Sequence, residues 1–244
     1  MGPRAMFDTV ILLTGPAERI ALPALLSKHN PRLTVLVVET LAELEVIDAR
    51  ILRRARLIGF LTSVIVPARI LDQLGFGAYN FHPGPPNYPG RLPLHFAIYD
   101  GATGFGATAH VMAAAVDSGL IVGVELFDIP PNIGVLALEK LAFTASARLF
   151  WRLAQALATQ RQPLDALPIR WCGRKSTRRM YQTMCDFPPD ISKDEFERRM
   201  RAFGDGHLGV HPTTTLHGRR FRYIPAETEA PSLVPAEAEA DPVG

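Results

Sequence analysis

Between residues 7 and 81, short apolar runs rich in β-branched side chains alternate with segments whose apolar residues recur at helical spacing. Phe7–Thr14, Leu33–Val38, Leu57–Phe60 and Ala78–Phe81 read as buried strands. Ala17–His29 carries Ile20, Leu22, Leu25 and Leu26, and Glu39–Arg54 carries Leu41, Leu44, Ile47 and Ile51 on one face, so both read as helices. Pro67–Leu74 reads as a short helix opened by a proline, which suits a first helical turn. This order is satisfied by parallel strands joined through right-handed crossovers. The fold expected is α/β, a mostly parallel sheet flanked by helices.

A dinucleotide site would need a Gly-x-Gly-x-x-Gly turn after the first strand. The turn here reads Thr14-Gly15-Pro16-Ala17-Glu18-Arg19, and Pro16 removes an N–H that could hold phosphate. A Walker A loop is absent too, so neither a nicotinamide nor an ATP site is expected there. Open α/β sheets still bind ligands beyond the carboxyl ends of their strands. Asn80 and His82 lie at such an end.

Further along, Leu92–Tyr99 reads as a helix, Phe105–Met112 and Leu120–Ile129 as strands, and Val116–Gly119 as a loop. Val135–Leu157 is a long amphipathic helix with Leu138, Leu141, Ala142, Ala145, Leu149 and Leu153 on its buried side. The composition changes from Pro163. Residues 170–182 are basic, Ser192–Phe203 is a helix with Glu195 three residues after a capping Ser192, and Thr213–Ile224 reads as a hairpin turning at His217-Gly218. We expect a core over 1–165, a small appendage over 166–225 and a tail over 226–244. The tail holds Glu227, Glu229, Glu237, Glu239 and Asp241 with no Lys or Arg, and reads as disordered.

Subtracting those five charges from the net +2 leaves residues 1–225 at +7. A basic body suits anionic small molecules or nucleic acid, and equally a plain solvated surface. Arg170, Arg174, Lys175, Arg178 and Arg179 carry the same alternatives: a phosphate-facing cluster or solvated charge. Cys172 and Cys185 match no disulfide framework or zinc pattern, which favours a reducing compartment. No run is long and apolar enough for a signal peptide or membrane span, so a cytoplasmic location and no membrane partner are expected.

The stretch from Tyr79 to Arg91 sets Asn80 and His82 two residues apart at the end of an apolar run, followed by a loop rich in Pro and Gly. On an extended segment such residues point to one face. Asp117 follows in Val116-Asp117-Ser118-Gly119. Acyl transfer to an amine needs a donor aimed at the oxyanion, a group to take the amine proton, and a group to orient it. Asn, His and Asp supply those functions, although Asn-x-His at a strand end and Asp beside Ser-Gly are also ordinary structural features.

Residues 57–122 resemble the 10-formyltetrahydrofolate-dependent formyltransferase family. That family's pattern is Asn-x-His-Pro-Ser-Leu-Leu-Pro-x-Tyr-x-Gly, then an Asp in an Asp-x-Gly loop. Here stand Asn80-Phe81-His82-Pro83, Tyr88-Pro89-Gly90, Pro93, Ala97-Ile98, Asp100-Gly101, Gly106-Ala107-Thr108 and Asp117-Ser118-Gly119. The resemblance implies a Rossmann-like formyltransferase core with a helix-hairpin appendage. It implies that Asn80 stabilises the oxyanion, that His82 is general base or electrostatic stabiliser, and that Asp117 orients His82 and takes part in proton transfer. It implies 10-formyltetrahydrofolate as formyl donor, held by Leu61, Thr62, Ser63 and Val64 and by Ala113 to Val116, Ala114 and Val116 above all. For Val64 and Val116 plain core packing is the other reading. The chain departs from the pattern at Gly84-Pro85-Pro86-Asn87, where the loop is one residue shorter.

The layout resembles the nucleotide-sugar N-formyltransferases, so the expected acceptor is the primary amine of a small anionic molecule, a nucleotide-linked amino sugar, with a homodimer through the C-terminal region. The alternatives are a hydroxy-amino acid or glycinamide ribonucleotide as acceptor, or a non-catalytic folate-binding protein of the same fold. A tRNA acceptor is not expected, because the further barrel domain of methionyl-tRNA enzymes does not fit the residues after 165. No metal is expected: His207 and His211 have helical metal-ligand spacing, but Gly206, Gly209 and Pro212 argue against helix there. His110, in a strand with Thr108 and Met112, reads as a structural histidine sooner than as part of the catalytic side of the motif.

Overall fold

The computed structural model describes residues 6–224, so the acidic tail lies outside the described residues. The β-branched runs become β1 (Thr9–Leu13), β2 (Thr34–Val38), β3 (Ala55–Phe60) and β4 (Ala78–His82). Between them run α1 (Ala21–His29), α2 (Leu41–Glu45), α3 (Ala49–Leu52) and α4 (Ala68–Leu71). Then follow α5 (Pro93–Asp100), β5 (Gly104–Val111), β6 (Ile121–Asp128) and the long α6 (Val135–Thr159).

The six strands form one sheet in the order β2-β1-β3-β4-β5-β6. The first four are parallel, while β5 runs antiparallel to β4 and β6 antiparallel to β5. The mostly parallel α/β architecture holds, and the reversal at β5 sets His110 beside Asn80 and Thr108 beside His82. The chain turns back between β2 and β3, so the crevice beyond the carboxyl ends of β1, β3 and β4 is where an open sheet binds ligands.

The helix expected over Glu39–Arg54 is two short helices. Asp48 accepts a hydrogen bond from the Arg50 N–H at 2.7 Å and starts α3 afresh. Leu44 and Leu52 are buried there, while Ile51 is exposed.

α6 covers one face of the sheet, packing Leu149, Phe150 and Ala154 against Ile58, Phe60, Tyr79 and Phe81. Its C-terminal end is fixed by a buried cation. Arg56 of β3 is 0% exposed and donates to the carbonyls of Ala156 (3.1 Å), Leu157 (2.7 Å) and Gln160 (2.8 Å), and to Phe76 (3.1 Å). The last carbonyls of a helix have no partner within it, and a cation there also meets the negative end of the helix dipole. The Phe7 and Tyr79 rings flank the guanidinium at 4.8 and 5.4 Å. Ile11, Leu13, Leu57 and Ile70 fill the opposite face.

After α6 the chain crosses back over the sheet's ligand end. It then forms α7 (Arg178–Met184), a short β7 (Asp186–Phe187), α8 (Lys193–Phe203) and the hairpin β8 (Thr213–Leu216) and β9 (Arg219–Arg222). α7 occupies part of the basic stretch, where no helix was expected. The Thr177 hydroxyl accepts from the Met180 N–H and caps it, and its Tyr181 is fully buried. α8 starts at Ser192, whose side chain accepts from the Glu195 N–H, as its sequence indicates. Among the described residues no helix is long and apolar enough to cross a membrane.

Candidate active site

A cavity of about 630 Å³ opens at the carboxyl ends of β3 and β4. That volume lies in the range of small-molecule sites. Leu61, Thr62, Ser63 and Val64, leaving β3, line one wall, and Ala113, Ala115 and Val116 another. Ala114, expected to bind folate, is exposed and stands outside the lining, because the turn after β5 presents its two neighbours instead. Leu61 (φ 50°), Leu92 (φ 60°) and Asp117 (φ 45°) are left-handed residues that border this cavity. Side-chain-bearing residues in that conformation cost free energy and gather at functional sites.

Asn80, His82 and Asp117 all line the cavity, and His110 joins them. His82, His110 and Asp117 are 5%, 3% and 6% exposed, so this cluster works out of bulk water. Asp117 Oδ1 is 3.2 Å from His110 Nε2, and its Oδ2 is 3.5 Å from His82 Nδ1. The carboxylate also accepts the Gly90 N–H at 2.7 Å. Asn80 Nδ2 is 3.2 Å from His110 Nε2. One imidazole, read as structural in the sequence, therefore touches both Asn80 and Asp117. The sequence shows only that Thr108, His110 and Met112 share a strand face; that face meets Asn80 because β5 runs antiparallel to β4.

The local sequence explains the placement. Gly119 lets the Asp117 loop lie on β5, since a Cβ there would come within 1.9 Å of the Val111 carbonyl oxygen. Gly90, at φ +99°, brings its N–H to Asp117 while its α-carbon lies against Ser176. The divergent Gly84-Pro85-Pro86-Asn87 loop is anchored by Thr108, whose hydroxyl donates to the Gly84 carbonyl at 2.7 Å.

Protons can be assigned from the partners. His82 Nε2 lies 2.9 Å from the Tyr88 carbonyl, so the neutral ring carries its hydrogen there and leaves a lone pair on Nδ1. Burial lowers the His82 pKa below its ordinary value, and Asp117 offsets this only in part. Burial alone would raise Asp117. The His110 hydrogen bond, the His82 ring and the Gly90 N–H outweigh it and hold the carboxyl below its ordinary value. The resting site is a neutral base beside an ionised carboxylate. His110 Nδ1 lies 2.9 Å from the Val111 carbonyl, and its Nε2 faces Asn80 and Asp117.

The segment after α6 completes the surroundings. Cys172 N–H donates to the Pro86 carbonyl, Ser176 N–H to Pro89, and Arg91 N–H to Ser176. Trp171 stands edge-on to both His82 (5.7 Å) and His110 (5.0 Å), with its indole N–H on the Gly119 carbonyl. The cations Arg91, Lys175 and Arg178 line the same cavity, whereas Arg170, Arg174 and Arg179 are outside its lining.

No protein-family model matches the chain. Methionyl-tRNA formyltransferase of Streptococcus sanguinis is 27% identical over 183 residues, 70% of this chain and 54% of the relative. That of Streptococcus agalactiae serotype III is 29% identical over 169 residues, 64% of this chain and 49% of the relative. The chain thus spans about half the length of the curated relatives it matches. Among solved structures, a sugar N-formyltransferase from a Shewanella species superposes with a TM-score of 0.70 at 14% identity, covering 89% of this chain and 96% of that one. A 4-N formyltransferase from Francisella tularensis gives 0.64 at 16%, covering 89% and 96%. The N-formyltransferase from Helicobacter canadensis, solved with folinic acid and dTDP-3-aminofucose, gives 0.61 at 14%, covering 87% and 85%. The fold is that of the formyltransferases, and the sequence resemblance points the same way.

Proposed function

We propose that this protein transfers a formyl group from 10-formyltetrahydrofolate to the primary amine of a small anionic acceptor, a nucleotide-linked amino sugar. The observation that carries the reading is the buried Asp117 carboxylate, bracketed by His82 and His110 beside Asn80 at the mouth of the cavity. Asn, His and ionised Asp in water-poor surroundings suit a reaction in which an amine attacks an acyl carbon and negative charge builds on oxygen. The donor supplies an activated formyl carbon on a nitrogen that can leave.

This chain's residues divide the remaining work. The Asn80 side-chain amide donates to the oxygen that gains charge as the amine nitrogen bonds to the formyl carbon. His82 Nδ1, bare of hydrogen, takes the proton that the amine loses. Asp117 steadies the resulting imidazolium and passes the proton toward the departing folate nitrogen as its bond to carbon breaks. His110 holds both Asn80 and Asp117 in place. The Leu61–Val64 wall, with backbone groups beside apolar side chains, suits a flat heterocycle. Arg91, Lys175 and Arg178 suit acceptor phosphates. The sugar-nucleotide ligand of the Helicobacter canadensis neighbour supports that acceptor class.

The test is to supply purified protein with 10-formyltetrahydrofolate and a panel of amino-sugar nucleotides, and to follow formylated product by mass spectrometry. Product with tetrahydrofolate released in equal amount supports the reading. Folate binding without transfer to any amine would replace it with a binding role.

A further inference from the structure

His95, Asp205 and His207 meet at the cavity wall formed by α5 and the turn after α8. Each offers one ligand atom, and these atoms lie within 4.8 Å of one another. His95 Nε2 is 3.2 Å from Asp205 Oδ2. Two donors each about 2.1 Å from a tetrahedral zinc ion stand about 3.4 Å apart, so this pair needs almost no movement. His207 is only half-buried and can swing the remaining distance.

The sequence pairs His207 with His211, at helical spacing. The fold does not: His207–Gly209 is a single 3-10 turn. Gly206, at φ +69°, reverses the backbone and sends Asp205 and His207 toward α5. The His211 ring packs beneath that glycine, where a Cβ would come within 2.6 Å of it.

Asp205 Oδ1 is held by the Tyr181 hydroxyl and the His207 N–H, so the carboxylate is fixed with Oδ2 toward His95 Nε2, where an ion would lie between the two. His95 presents Nε2 to Asp205, and its other ring nitrogen, Nδ1, is buried without a hydrogen-bond partner. Two imidazoles and a carboxylate are a donor set for zinc-class divalent ions rather than magnesium or calcium.

We propose that His95, Asp205 and His207 bind a zinc-class divalent ion that joins α5 of the core to the turn after α8. Three protein ligands leave a coordination position, and the cavity that holds Asn80 and His82 borders the site. The ion cross-links the appendage to the core whether or not the protein transfers formyl groups.

Metal-stripped protein titrated with Zn2+ by calorimetry, and with Co2+ by visible absorption, tests the site. The expected result is one ion per chain, a higher Tm with Zn2+ and no response to Mg2+. His207→Ala removes a half-buried ligand and folds normally. It should lose about tenfold or more in Zn2+ affinity. Asp205→Asn provides a second variant with the same expectation. No stoichiometric binding, unchanged affinity in both variants, or a thiolate band from Cys172 in the Co2+ spectrum would overturn the site.

Discussion

His82 and Asp117 face each other across 3.5 Å while the far nitrogen of the histidine is tied to the Tyr88 carbonyl. The hydrogen on Nε2 is committed to that carbonyl, so the side facing the carboxylate is a lone pair. A base without a proton beside a charged carboxylate is the state that the proposed transfer to an amine requires.

Asp117→Asn tests the carboxylate with little change of shape. Asn tolerates the left-handed backbone at φ 45° and can still accept the Gly90 N–H. Turnover should fall about 10²- to 10⁴-fold, the range for losing a positioned acid–base group, with Tm nearly unchanged. Steady-state kinetics and a thermal melt on the same sample check it.

The pH dependence follows from the directions of the shifts. Burial lowers His82 below the ordinary 6.5, so kcat/KM should rise with pH along a limb centred below 6.5 and be flat through neutrality. A limb centred above that value would contradict a buried neutral base. His82 and Asp117 are both depressed in the folded state, so each binds protons more readily when unfolded. Their contribution to stability is complete above the unfolded values and is lost on acidification, His82 first and Asp117 at lower pH. Tm should fall as the pH drops below 6.5, and less steeply in His82→Gln.

His110→Phe keeps the ring volume and removes both nitrogens. Asn80 and Asp117 lose their shared partner, and we expect turnover to drop by about 10²-fold with substrate affinity far less affected. The ratio of kcat to KM changes in this variant distinguishes the role from a packing defect.

Arg56→Met tests the fold apart from the chemistry. It leaves carbonyls at the end of α6 without a donor, at roughly 1–3 kcal/mol for each group that water cannot reach. A denaturant melt should show a loss of about 2–4 kcal/mol, while activity per folded molecule stays near wild type.

The legibility of this chain in its sequence had a physical limit. β1 to β4 and α6 were readable because burial on one or both faces leaves a local periodic pattern. Glu39–Arg54 misled because Leu41, Leu44, Ile47 and Ile51 keep helical spacing across a break, and Asp48 caps a new start. α7 was hidden by Arg178 and Arg179, whose charge masks the buried Tyr181. Asn80, His82 and Asp117 could be read from their motif. The contacts of His110 with Asn80 and Asp117 could not, because they depend on strand direction, and direction is set by tertiary pairing. Trp171 reaches the two histidines from 61 residues beyond His110, a distance no local pattern reports.

The most direct measurement is a single-turnover reaction with 10-formyltetrahydrofolate and an accepted amine, comparing wild type with His82→Ala and confirming that both bind the folate. Wild type should transfer one formyl group per active site, and the folded, folate-binding variant should transfer at least about a hundredfold more slowly, as expected for a lost general base. Transfer by His82→Ala within tenfold of wild type would contradict that role.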